Sequence, residues 1–107
     1  MVNSRNKGKV GEREIVNILK DHGYDCRRSQ QYCGYAEGGQ ADVIGLPHIH
    51  CEVKRVEKLN IDNAVSQACR DSKEGEIPTV FHRKNRKPWC VTMLLEDWID
   101  LYKRAYD

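Results

Sequence analysis

A chain of 107 residues, 39% hydrophobic and 32% charged, has room for a single domain over residues 1–107 with a modest core, and its mixture is globular rather than disordered. The formal net charge of +2 says little about partners. No apolar run approaches a membrane span, and the first residues lack the apolar centre of a signal peptide, so a cytoplasmic protein with no membrane partner is expected.

The helical period begins near Lys9 and runs to His22, with Ile15, Val16 and Leu19 as its apolar stripe and Gly23 as its stop. Glu12 lies three, four and seven residues before those members, so it faces the protein with them, whereas Glu14 is expected in solvent. Arg5, Lys7 and Lys9 precede this helix as a basic cluster. A short strand is predicted over residues 24–28, ending in the pair Arg27 and Arg28. The polar, glycine-rich "SQQYCGYAEGGQ" that follows is too long for a tight turn. "ADVIGLPHIHCEVK", residues 41–54, reads as two strands joined by a turn at Pro47.

A second helix is predicted from Ile61 to Lys73. Ile61, Ala64, Val65, Ala68 and Cys69 form its apolar face, Asn60 its N-cap and Gly75 its stop. "IPTVF" and "PWCVTML" read as strands, and the turn between them carries Arg83, Lys84, Arg86 and Lys87. The last helix places Leu95, Trp98 and Tyr102 on one side. The order α-β-β-β-α-β-β-α describes an α/β fold, with a central mixed sheet because a helix crosses between strands, and helices covering it.

Five cysteines, Cys26, Cys33, Cys51, Cys69 and Cys90, form no CxxC pair and argue against a disulfide framework. They read as small buried apolar residues. A zinc site using His48, His50 and Cys51 is the alternative, opposed by the opposite directions of adjacent strand residues.

The charges within residues 41–54 carry the chemistry. Residues two apart on a strand share a face, so Glu52 and Lys54 point one way with His50 behind them, and Cys51 and Val53 point the other way. Asp42, from the neighbouring strand, can lie across from Glu52. Two close carboxylates repel unless something neutralises them, and a divalent cation does so. Oxygen donors suit Mg²⁺ or Mn²⁺, the Val53 backbone carbonyl can add a third ligand, and inward-facing Glu12 can complete the shell. Lys54 can hold a water or a phosphate oxygen. The plain alternative is an exposed salt bridge between Glu52 and Lys54. Gln67, beside the apolar face of the second helix, either reaches this site or DNA or is a boundary residue.

These residues, in "KGKVGEREIVNILKDHGY", "RRS", "ADVIG" and "CEVK", resemble the PD-(D/E)xK nuclease superfamily, and within it the archaeal-type Holliday-junction resolvases and their phage relatives. The resemblance covers the first half of the chain; the second half agrees in element pattern. It implies a restriction-endonuclease-like core and a catalytic set of Glu12, Asp42, Glu52 and Lys54. Asp42, Glu52 and the Val53 carbonyl would hold the metal, with Glu12 as a candidate further ligand. Ala41 stands where the superfamily often has proline, a structural position. The resemblance also places Arg28, with Ser29 beside it, on DNA phosphate. Lys7, Lys9, Arg27, Gln67, Arg83, Lys84, Arg86 and Lys87 are the further candidates for DNA contact.

The implied function is Mg²⁺- or Mn²⁺-dependent hydrolysis of DNA, leaving 5′-phosphate and 3′-hydroxyl ends, on four-way junctions, in a bacterial, archaeal or phage-infected cell. Two symmetric cuts call for a homodimer, for which Trp89, Trp98, Tyr102 and Tyr106 offer aromatic surface, with core packing as the alternative for Trp98. Two alternatives stand beside this: another PD-(D/E)xK nuclease or nickase acting on ordinary duplex in phage replication or repair, and a catalytically silent DNA-binding module.

Overall fold

The computed structural model of the protein describes residues 4–29 and 41–107, with side chains from Gly8 onward. The first helix, α1 (Ser4–Asp21), begins five residues before the predicted Lys9, so Arg5, Lys7 and Lys9 lie on the helix rather than ahead of it. Lys9 is exposed, while the side chains of Arg5 and Lys7 lie outside those described. Ile15 and Val16 are buried and Leu19 half-buried, as the stripe requires. The Gly23 N–H bonds the Lys20 carbonyl and the Tyr24 N–H that of Leu19, with Gly23 at φ +95°, a left-handed C-terminal cap.

Five strands form one sheet in the order β1-β2-β3-β4-β5: β1 (Arg27–Arg28), β2 (Val43–Ile44), β3 (Ile49–Arg55), β4 (Ile77–Arg83) and β5 (Cys90–Met93). Adjacent pairs are antiparallel except β3 and β4, which run parallel across the crossover helix α2 (Ile61–Asp71). The chain closes with α3 (Leu95–Tyr106). The sheet is therefore mixed and helix-flanked, as the element order predicts. No described helix is long and apolar enough to cross a membrane.

Strand β3 is central, and its alternation builds two cores. Cys51 and Val53 face α1 and join Ile15, Val16, Cys26 and Val43. The opposite face carries His50, Glu52 and Lys54 toward α2, whose small Ala64 and Ala68 pack on Val80, the β4 partner of Glu52. Asn60 caps α2 as predicted, its Oδ1 accepting from the Asn63 N–H at 3.1 Å.

Several local expectations change. The first strand is only Arg27–Arg28, since residues 24–26 run past the sheet without pairing to it. Asp42 sits just before β2, not within it. The α2 helix stops at Ser72, which turns extended at ψ 144°, and Gly75 serves the next turn instead. Strand β4 runs on to Arg83 because its parallel ladder with β3 continues to Arg55.

The cysteines divide. Cys26 and Cys51 are buried, but Cys69 and Cys90 are exposed. Cys69 lies one residue beyond Ala68, about 100° around the helix, and Cys90 opens the edge strand. Cys33 and the 30–40 segment lie outside the described residues.

Glu14 is not a solvated residue. It accepts from Arg83 Nη1 at 2.8 Å and Trp89 Nε1 at 3.0 Å, and Arg55 Nε lies 3.1 Å from its other oxygen. The last contact is coulombic, because that N–H points off the oxygen and is buried without a hydrogen-bond partner among the described residues. Trp89 is accordingly half-buried against the α1 core and is not free aromatic surface.

Candidate active site

Asp42 is fixed at both ends. Its backbone N–H bonds the Cys51 carbonyl at 2.8 Å, and its Oδ2 accepts the Val53 N–H at 2.8 Å. The β2–β3 register, Val43 opposite Cys51, thus sets the carboxylate beside the strand that carries Glu52. Burial and the charge of Glu52 push the Asp42 pKa up to about 7. Glu12 adds to the rise, while the Val53 N–H and Lys54 oppose it. Three carboxylates and one ammonium from α1, the segment before β2, and β3 therefore share one electrostatic neighbourhood, as the spacing predicts.

Glu52 is 1% exposed, which rules out the ordinary surface salt bridge with Lys54. Its Oε1 is held by His50 Nε2 at 2.8 Å, while its Oε2 is buried with no hydrogen-bond partner among the described residues. An ionised carboxylate oxygen in that condition is costly unless a cation or water completes it. Lys54 is half-buried, and its ammonium donates to Gln67 Oε1 on α2 at 3.2 Å, so Gln67 does reach the site. Glu12 is half-buried and pairs with Arg28 Nε at 3.0 Å.

The donor chemistry fits a hard divalent cation. Oxygen atoms dominate, one of them is orphaned, and like charge already raises the Asp42 pKa. No three His, Cys, Asp or Glu side chains converge on one point among the described residues. Side chains would then supply a minority of the ligands, the usual arrangement for Mg²⁺, which keeps several waters. The suggested zinc set is split: His50 turns to Glu52, Cys51 turns into the α1 core, and His48 is an exposed turn residue at φ +70°.

The basic candidates surround this centre unevenly. Arg27 is exposed on β1 and Arg28 is engaged with Glu12. The Ser29 N–H bonds the Asp42 carbonyl at 3.0 Å. The parallel register of Lys54 with His82 and Arg55 with Arg83 brings the basic β4–β5 turn to the Lys54 end of the sheet. Arg83 is held by Glu14, whereas Lys84, Arg86 and Lys87 are exposed.

Two arrangements were not read from the sequence. The contact of His50 with Glu52 has a signal in their two-residue spacing. The Glu14 cluster has none, because Arg83 and Trp89 lie 69 and 75 residues away.

A family model described as "Phage putative PDDEXK endonuclease" matches residues 3–107. The chain belongs to this PDDEXK endonuclease family. Among solved structures, it is similar to Hjc, a Holliday junction resolvase from the archaeal hyperthermophile Archaeoglobus fulgidus, with a TM-score of 0.57 and 20% identity over 80% of this chain and 76% of that one. That likeness shows the shared fold. No curated protein matches the chain. For a chain of this endonuclease family, DNA is the substrate class, and a divalent metal is the cofactor class such nucleases generally use.

Proposed function

We propose that residues 1–107 form one Mg²⁺- or Mn²⁺-dependent nuclease domain that resolves four-way DNA junctions as a homodimer. The observation that carries the reading is the meeting of half-buried Asp42 and Lys54 with the fully buried Glu52, on β3 and the segment before β2, with a Glu52 carboxylate oxygen left unpartnered among the described residues. Asp42, Glu52 and the Val53 carbonyl would hold the cation, with Glu12 at its margin. The cation, when bound, supplies an activated water and neutralises charge on the phosphate. Lys54, steadied by Gln67, would donate to a water or phosphate oxygen at the site and stabilise negative charge developing on the phosphate oxygens.

Among the described residues Glu12 holds Arg28 by Nε alone, and the other guanidinium N–H groups would serve a phosphate. Ser29, Arg27, Lys9, Lys7 and the exposed Lys84, Arg86 and Lys87 would contact the DNA backbone, and such contacts position the duplex without reading sequence. Arg83 would act mainly through the placement of that turn.

Junction resolution is supported by the resolvase-like fold and by an aromatic ladder fit for a partner. Trp98, Tyr102 and Tyr106 are about half exposed or more and follow one another along α3, Trp98 stacked on Tyr102 at 5.3 Å and Tyr102 tilted against Tyr106 at 4.9 Å between ring centroids. The test is a gel shift with Asp42→Asn on a labelled four-way junction, over a salt series, against excess matched duplex. The junction should resist the competitor, with affinity falling steeply as salt rises. Displacement at equal base-pair concentration would replace this reading with a nuclease of ordinary duplex.

A further inference from the structure

His50 has no role in the chemistry above, yet it is among the most deeply buried side chains, at 1% exposure. A leucine or valine there would pack without the cost of burying an imidazole. Its Nε2 lies 2.8 Å from Glu52 Oε1, and both groups are sealed from solvent. A carboxylate only accepts, so Nε2 carries the proton and donates. On the far side of the ring, Nδ1 lies 3.9 Å from Glu76 Oε1, beyond hydrogen-bond length, so among the described residues the ring has one firm bond and Glu52 receives it. That bond occupies one carboxylate oxygen and leaves the other, Oε2, without a partner among the described residues.

We propose that His50 is a positioning residue that fixes the rotation of the Glu52 carboxylate and restricts it to ligating a cation through one oxygen. The proposal rests on the metal-site reading above and deepens it by naming what selects the ion. Small six-coordinate Mg²⁺ and Mn²⁺ accept single-oxygen carboxylate ligands, whereas Ca²⁺ readily takes both oxygens of one carboxylate. A carboxylate with Oε1 already engaged therefore favours the smaller ions. Partners of this kind, one bond removed from the metal, are typically worth about 10- to 100-fold in affinity. The two-residue spacing on β3 makes the device local, since any distortion of Glu52 moves His50 on the same face.

The test is calorimetric titration of Mn²⁺ and Ca²⁺ into the full chain without DNA, for wild type, His50→Leu, His50→Gln and Asp42→Asn. Leucine removes the donor at similar volume, whereas glutamine can return an N–H to the same oxygen. We expect His50→Leu to bind Mn²⁺ about tenfold more weakly while Ca²⁺ affinity changes little. His50→Gln should keep Mn²⁺ affinity near wild type. If the leucine variant does not fold, His50→Asn, too short to reach Oε1, takes its place with the same expected loss.

Wild-type Mn²⁺ affinity in the donor-free variant would overturn the proposal. An equal loss for both ions in the donor-free and glutamine variants would do the same, since His50 would then only fill space. A wild-type chain that binds no Mn²⁺, or binds it as Asp42→Asn does, would overturn the metal-site reading and this proposal with it. Wild-type binding lost only in Asp42→Asn would leave that reading standing and remove His50 from it.

Discussion

Asp42 has an ordinary carboxylate pKa of 3.8 when unfolded and one of about 7 in the fold, raised by burial and by Glu52. Between those values the folded chain binds a proton that the unfolded chain does not. The stabilising effect of that proton is complete below 3.8 and is lost as pH climbs through about 7. The metal-free protein should therefore weaken across this window, and Asp42→Asn, whose amide oxygen can still accept the Val53 N–H, should not share this loss. Denaturant titrations in chelator should find Asp42→Asn more stable than wild type at pH 8 by about 1–3 kcal/mol. Equal stability there would mean that Asp42 carries no such burden.

The same residues were legible in the sequence because a period of two is a strong constraint. Once Glu52 and Lys54 share a face of a central strand, Asp42 has few places to lie. The partners of Glu14 were not legible, because they arrive from β4 and the turn before β5 through tertiary packing alone.

Turns and helix ends show a similar division among the elements. Asn60 and Gly23 announce their caps by residue type, and both serve as read. Gly75 carries the same signal and misleads, because Ser72 ends α2 first by turning extended. Gly45 is the element-scale position with the clearest requirement. It sits after β2 at φ +105°, and a Cβ there would run into the Asp25 carbonyl and lie 2.9 Å from the Cys26 Cα. The backbone of Asp25 and Cys26 cannot give way as a flexible side chain would. Gly45→Ala should therefore cost about 2–4 kcal/mol by combined strain and overpacking, read as a lowered denaturation midpoint. A loss under about 0.5 kcal/mol would show that β2 and the 24–26 segment do not pack as described. Because β2 also sets Asp42, this variant should lose metal affinity along with stability.

Across the whole molecule, the sheet and its two covering helices account for both cores, while α3 has no buried residue at all. Its exposed stripe of Leu95, Trp98, Tyr102 and Tyr106 has the apolar character that a homodimer would cover. The predicted helical period places Leu95, Trp98 and Tyr102 on one side, but does not say whether that side faces the core. Sedimentation of wild type should give two copies, and Trp98→Ser with Tyr102→Ser should give one, with the monomer's thermal stability lowered only as far as dimer loss requires. A monomeric wild type would remove the dimer, and paired junction cleavage would lose its simplest geometry.

The proposed site of Asp42, Glu52 and Lys54 should cut DNA only with a divalent metal bound. The most direct measurement is cleavage of an end-labelled four-way junction and a matched duplex by wild type and Glu52→Gln, in Mg²⁺ and in excess EDTA. Wild type in Mg²⁺ should give junction products, Glu52→Gln should lose at least about a thousandfold, and no products should form in EDTA. Full activity in purified Glu52→Gln, or cleavage that persists in EDTA, would contradict the proposed site.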